Sequence, residues 1–590
     1  MSRLHLPRLL LLATLIPAAF AATPAWVTRS NQLAEPVLAA IARFDPEGAS
    51  GSGQEQFDTN VVDMGPKLFE RQQKVTEGLL ADLRKERQVE TDRHVQQDLD
   101  IMIDTLQRKL QSEKLNHDQM LASVDVSQIV FGGLRSLLDA RNKPERQARA
   151  LIRLKRYAGL ETGYMPLAEQ ARVYQQAELQ RPGLIGPYVD EVQQQLDNTD
   201  YYLKGLAELF KKANLTGWEQ PLATLGQQLH SYDDWVRKEV LPRTRKEARQ
   251  PVAIYADTLR QMGVDIGPDE LIERATADYQ EVRDQMQTIA ARIAQQRKLP
   301  SSDYRDVIRE LKKSQIEPTA LLPLYWQRLR EIEAIVRREQ LLTLPDRQAN
   351  IRLASEAESA QIPAPHMQPP RLIGNTGEYG EFVLPLTNPH AKSKAVMDDF
   401  SHDAITWALA AHEARPGHEL QFASMVERGT SLPRVLFAMN SANVEGWALY
   451  CEALVFPYIP EDGQLFTLQT RMMRMARAFL DPMVNTGRIS PDEAKRFLMD
   501  EVLLSEPMAQ QEADRYAFNS PGQATSYYYG YLNMRSLRTQ TEIALGAQFN
   551  LKSFNDFILG QGLLPPRQMR EAVMQDFIPT QRTTAKQASR

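Results

Sequence analysis

From Lys67 onward, apolar residues recur at three- and four-residue intervals among charged ones for almost 300 residues. That spacing lays an apolar stripe along one side of a 3.6-residue helix, so the pattern predicts amphipathic helices. It is clearest over Leu68–Gln88, Val95–Ser112, Tyr188–Ala213, Glu270–Gln296 and Leu321–Leu342. Pro182, Pro221, Pro242, Pro251, Pro268 and Pro300 fall between the apolar stretches, where helices start or stop. The breaks are too frequent for sustained heptads, and no fixed period marks a repeat. A packed multi-helix array is expected. Residues 44–66, rich in Gly, Asp and Ser, read as a loop ahead of it.

The texture changes at "IPAPHMQPPR", Ile362–Arg371, where four prolines in ten residues read as an extended linker. "GEYGEFVLPLTNP", Gly377–Pro389, is the best strand candidate, and Pro385 within it argues for an edge. Helix resumes near Asp398 and dominates to about residue 575, with a polar, frayed tail after it. We therefore expect two lobes, a helical one over 22–361 and a C-terminal one over 362–590. The fold class is mainly α, with a small edge strand beside the second lobe.

The N-terminus changes the picture of location. "MSRLHLPR" is a short basic segment, and Leu9–Ala21 is an apolar core ending in Ala-Phe-Ala. This is the pattern of a signal peptide over 1–21, cleaved near Ala21. It is too short to span a bilayer, and no other apolar run is long enough. No cysteine follows the cleavage site, so no lipid anchor is expected, and the mature chain should be periplasmic or secreted without stable membrane insertion. A net charge of −5 gives no sign of a nucleic-acid partner. Cys451 is the only cysteine, which excludes disulfides within the chain and cysteine-based zinc sites. Any metal must be held by His and carboxylates. Oligomeric state leaves no mark in the sequence.

The candidate chemistry lies in "HEARPGHELQ", His412–Gln421. It resembles the start of an H-E-x-x-H zinc helix, in which two histidines four residues apart share one face. Here His412 and His418 are six apart, roughly 240° around a regular helix, so an unbroken helix would fail as a chelate. Pro416 disfavours helical geometry at Arg415, and Gly417 reaches conformations closed to other residues. Together they would let the chain bulge and return both histidines to one side. A third donor follows in the apolar run Asn443–Phe456, where Glu445 and Glu452 are seven apart and ~10 Å apart along the axis. One ion cannot take both. Glu445, at the helix start, is the expected ligand. Glu452 is then a carboxylate behind a ligand, a substrate contact or a surface group. Two His and one Glu leave a coordination position open, as in catalytic rather than structural zinc sites. Glu413 is placed to deprotonate a water there.

These residues, "HEARPGHELQ" followed by "EGWALYCE" (Glu445–Glu452), resemble the bacterial family catalogued as domain of unknown function 885. "ADRYAFNSPGQATSYYYG" (Ala513–Gly530) and "LGAQFNLKSFNDFILGQGLLP" (Leu545–Pro565) are similar to two further motifs of that family, and "FDPEGASG" matches more weakly. The family looks like gluzincin-type zinc metallopeptidases, so the resemblance implies a zincin-like helical fold around a deep cleft. It implies His412, His418 and Glu445 as ligands of one Zn²⁺ per chain and Glu413 as general base. It aligns Tyr527 with a tyrosine suited to donate to an oxyanion, with Gln523 one turn earlier. It suggests Arg515 and Tyr516 as substrate contacts. Asn555 stands where the family has His, and Arg415 would bring a positive charge toward the cleft. The strand through Gly380 and Phe382 would hold an extended peptide by its main chain.

The expectation is an exported zinc-dependent metallopeptidase acting on short peptides. Two other readings stand beside it: a zinc hydrolase of non-peptide amides or esters, and a non-catalytic helical binding protein. Glu413 argues against the last, since a binder has no use for a general base.

Overall fold

A computed structural model describes residues 23–355, 358–359, 362, 364–385 and 397–588. The expected leader and the end of the strand candidate, 386–389, lie outside the described residues. Helix accounts for 70% and strand for 3%, which fixes the class as mainly α.

The amphipathic stretches form helices close to their expected bounds. They are α1 (Leu68–Val89), α2 (Arg93–Gln119), α4 (Val189–Lys212), α6 (Pro268–Arg297) and α7 (Pro318–Arg338). The helix α3 (Val126–Leu138) packs against α4, with α5 (Glu219–Trp235) alongside. Start signals are local: Asp92 caps α2 by accepting from the amides of His94 and Val95, and Pro268 opens α6 after Gly267. The stretch expected as loop, 44–66, contains a short helix at Pro46–Gly51, capped by Asp45. The tail expected to fray is helical through Ala588.

Two main apolar cores result. The smaller gathers Met64 with residues between Val126 and Val240, among them Phe131, Tyr157 and Phe210. The larger runs from Ala34 to Ile578 and includes Leu99, Tyr325, Phe382, Trp447 and Phe577. Residues on both sides of position 362 share this larger core.

The linker itself contains a strand. Strands β1 (Asn350–Leu353), β2 (His366–Gln368) and β3 (Glu381–Leu384) form one sheet in the order β1-β3-β2. β3 is parallel to β1, with Ile351 opposite Phe382, and antiparallel to β2, with Met367 opposite Phe382. The strand expected at an edge is thus the central one. Phe382, Val383 and Leu384 are all buried, and a strand covered on both faces reads as a continuous apolar run. The edge nearest the second half of the chain is β2, inside the proline-rich stretch.

Helix resumes at α8 (Ile405–Leu409), which widens into a π turn over Ala410–Ala414. There follow α9 (His418–Glu427), α10 (Ser441–Val455), α11 (Glu461–Asn485), α12 (Glu506–Asp514) and α13 (Thr525–Leu545). α11 packs along α6, and α10 along α13. The α10–α13 crossing is closed by two glycines: a Cβ on Gly446 would lie 2.4 Å from the Gly530 carbonyl carbon, and one on Gly530 would lie 1.8 Å from the Ala442 oxygen. No side chain fits there. This contact brings Glu445 and Tyr527, each within three residues of a crossing glycine, to the same wall.

Candidate metal centre

The break between the two histidines is built as the sequence requires. After the π turn, Arg415 is extended (φ −124°, ψ 135°), the Arg415–Pro416 peptide is cis, and a new helix begins at His418. Gly417 presses against the preceding turn; a Cβ there would lie 1.8 Å from the His412 carbonyl oxygen. α10 holds the bulge from outside, with Trp447 Nε1 (3.1 Å) and Cys451 Sγ (3.3 Å) both donating to the Pro416 carbonyl. His412 and His418 face each other, rings perpendicular with centroids 4.8 Å apart.

Glu445 completes the group. Its Oε2 lies 3.5 Å from His412 Nε2 and 3.3 Å from His418 Nε2, and all three donor atoms fall within 4.8 Å of one another. Charge-assisted N–H···O bonds are shorter, roughly 2.7–2.9 Å. Ligands about 2.1 Å from one tetrahedral ion, by contrast, stand roughly 3.4 Å apart. Glu445 Oε2 and His418 Nδ1 are buried without a hydrogen-bond partner. Three such donors on one cavity wall could hold a single divalent ion.

Further side chains stand behind these three donors. His412 Nδ1 donates to Glu452 Oε1 at 2.7 Å, which turns Nε2 toward Glu445. Glu452 is 1% exposed and does not line the cavity, so it is no surface group and stands behind His412. Thr470 donates to its other oxygen at 3.3 Å. Gln523 Nε2 donates to Glu445 Oε1 at 3.3 Å and to Ser441 at 3.0 Å, so it holds the Glu445 carboxylate rather than facing the cavity. Burial disfavours charge on His412, but Glu445 and Glu452 outweigh it and raise the imidazole to about 9. Burial likewise opposes the charge on Glu445, and the two histidines overcome it, holding the carboxyl well below its usual range. Both shifts report the same buried cation–anion pairing that an ion would replace.

His412, Glu413, His418, Glu445 and Tyr527 line a cavity of about 960 Å³ that reaches across to Asn198 and Tyr202 of the smaller core. Glu413 Oε1 lies 3.9 Å from His412 Nε2. Tyr527 lies nearly parallel to the His412 ring, centroids 6.2 Å apart, and its hydroxyl accepts from Arg515 Nη2 at 3.2 Å. Burial, then the Glu445 charge, keep that phenol above its ordinary value and so protonated.

Several expected contacts are elsewhere. Tyr516 is fully buried, donating to Glu512 at 2.9 Å, and does not line the cavity. Gly380 and Phe382 sit in or beside the central strand, with Phe382 edge-on to Tyr325, so neither meets the cavity. Arg415 turns away from it, bound to Glu419 (2.6 Å), Glu333 (2.8 Å) and the Arg347 carbonyl (2.8 Å); its charge is neutralised inside the fold. Asn555 is buried between the Tyr450 hydroxyl (3.0 Å) and the Leu341 carbonyl (2.8 Å).

Other residues went unnoticed in the sequence. His366 of β2 lines the cavity, its Nδ1 donating to the Ala364 carbonyl at 2.9 Å; burial lowers its pKa. A lone histidine among prolines was the available signal. Arg474 and Arg477 of α11 also line it. Their mark was arginine at three-residue spacing within an apolar Met/Ala run.

The wider comparisons agree on fold and leave activity open. Two solved structures, each described as a "putative lipoprotein", superpose over the chain. The one from Shewanella oneidensis, of unknown function, has a TM-score of 0.71 at 17% identity, covering 94% of this chain and 100% of its own. The one from Colwellia psychrerythraea has a TM-score of 0.74 at 19% identity, again covering 94% and 100%. No curated protein sequence matches. The family model described as "Bacterial protein of unknown function (DUF885)" matches residues 46–573, and the chain belongs to that family.

Proposed function

We propose that the protein is a metal-dependent hydrolase, a zinc metallopeptidase acting on short peptides. The observation that carries this reading is the convergence of His412, His418 and Glu445, their donor atoms within 4.8 Å of one another on a cavity wall, a spacing suited to one shared ion. Zinc held there would supply Lewis acidity for the scissile carbonyl and acidify the attacking water. Glu413 takes the proton from that water and returns it to the leaving amine. Glu452 fixes the His412 tautomer. Arg515 Nη2 donates to the Tyr527 oxygen, which frees the phenolic O–H to donate to the developing oxyanion.

Peptide rather than other amides is favoured by β2. It is an edge of the sheet, and His366 and Met367 line the same cavity, so an extended substrate has main-chain groups to pair with. A cavity of about 960 Å³ suits a short peptide. Location in the cell envelope is inferred from the leader-like Leu9–Ala21 and from the description of the two similar structures as lipoproteins. Among the described residues no helix is long and apolar enough to cross a membrane.

Metal analysis of the purified full chain should find about one zinc per chain, lost in His412→Ala. A peptide-library digest should show cleavage by the native chain and none by Glu413→Gln. Cleavage that survives Glu413→Gln removes the general base, and a metal-free protein unaffected by His412→Ala ends the metal reading.

A further inference from the structure

α11 is buried along nearly its whole length, yet it carries Arg471, Arg474 and Arg477. A buried guanidinium is costly unless it is paired. Arg477 is well paired: Nε and Nη2 donate to Glu512 at 2.7 and 2.6 Å. Glu512 is then fully used, since Tyr516 (2.9 Å) and Arg515 Nη1 (3.3 Å) also donate to it. Arg474 has no such carboxylate. It is 4% exposed, its nearest anion is Glu452 at 3.4 Å, and Glu452 is already bound to His412. Arg474 Nε and Nη1 have no hydrogen-bond partner.

Arg474, Arg477 and Arg515 all line the cavity and ring Tyr527, their guanidinium carbons 6.0, 4.5 and 5.5 Å from its centroid. They stand one aromatic ring away from the proposed ligands. The anions facing them are Glu445, Glu452 and Glu512, all engaged, while Asp514 also borders the cavity. A guanidinium with two of its three nitrogens left without partners inside a buried, cation-rich corner is a place for an anion to complete.

We propose that Arg474, with Arg515 and Arg477, forms a carboxylate-binding subsite that selects substrates carrying a carboxylate close to the scissile bond. The carboxylate comes either from the end of a peptide chain or from an acidic side chain. The first source makes the enzyme one that trims short peptides from their C-terminal end. This deepens the hydrolase reading for its substrate class, but the binding claim stands on the arginines.

Binding is measured by calorimetry on the full-length Glu413→Gln protein as purified, and dependence on the arginines separates the subsite from capture by a bound metal. The probes are acetyl-Ala-Phe as free acid, its C-terminal amide, and acetyl-Ala-Glu amide. The free acid should bind at least about tenfold tighter than the neutral amide. Adding Arg474→Met should abolish that preference and leave binding of the amide unchanged. Arg515→Lys, a milder change that keeps the charge but loses the fork, should weaken the acid alone. Tight binding of acetyl-Ala-Glu amide assigns the site to a side chain, and tight binding of the free acid alone assigns it to the chain end; both uphold the subsite. Equal binding of acid and neutral amide, or a preference untouched by both arginine variants, overturns it. A selective acid with no cleavage by the native chain would sink the hydrolase reading and spare this one. Cleavage indifferent to carboxylates would do the reverse.

Discussion

The smaller core and the wall that carries His412, His418 and Glu445 are both helical, but they are held differently. In the smaller core, one-sided helices turn apolar faces inward: Phe131 stacks on Tyr202 at 4.7 Å and Phe210 on Trp218 at 5.6 Å. In that wall, α10 and α11 are buried nearly all round, and charged groups sit inside in pairs such as Arg477–Glu512 and His412–Glu452. The first arrangement is stabilised by area removed from water and is indifferent to which apolar group supplies it. The second depends on each charge keeping its partner. Stability and chemistry are thus spread over different material.

The comparison can be broken by mutation. Phe131→Ala in the smaller core should cost ~3–5 kcal/mol in denaturant unfolding and leave the metal content intact. Loss of metal at unchanged stability would show that the two regions are not separable. Glu512→Gln should cost a similar ~3–5 kcal/mol by stranding Arg477, though the change in volume is negligible. A cost near zero there would mean that the wall is held by packing like its counterpart. Glu452→Gln should weaken zinc binding about 10–100-fold, read by competition with a chelator, with a small effect on unfolding.

Acidity should separate the regions by sign. Burial opposes the charge on Glu512, but Arg477 and Arg515 overcome it and hold its carboxyl at about 2 against an ordinary 4.5. Its contribution to stability is therefore present above pH 4.5 and lost as pH falls toward 2. Burial raises Asp233, next to the smaller core, to about 6 from 3.8. Its contribution is present below 3.8 and lost as pH rises through about 6. Melting curves against pH should lose the acid-side decline in Glu512→Gln, and the decline between pH 4 and 6 in Asp233→Asn. The smallest effect is expected at Arg309–Asp306, where both side chains are more than half exposed; Arg309→Ala should change stability by less than ~0.5 kcal/mol.

How much of this was legible in the sequence follows the same line. Amphipathic helices announce themselves, so Tyr188–Ala213 was read within a residue of the observed Val189–Lys212. Pro385 argues for an edge, but the buried run Phe382–Leu384 makes β3 the central strand. β2 is three residues long among prolines and carries no periodic signal. At the site, the donor types and the need for a break before His418 could be read directly. Tyr516 could not be oriented: which way a side chain leaves a π turn depends on what packs against it.

The sequence by itself determined the helical class, the amphipathic helices, the available metal donors and the interruption at Pro416–Gly417. These are local properties of spacing and backbone freedom. Only the tertiary structure decided that Glu445 joins the histidines while Glu452 supports one of them from behind. It alone turned Arg415 inward and gathered Arg474, Arg477 and Arg515 around Tyr527. The physical reason is that α9, α10, α11 and α13 converge through packed contacts, above all the Gly446–Gly530 crossing, between residues distant in the chain. Periodicity within one helix carries no information about which neighbour it will meet.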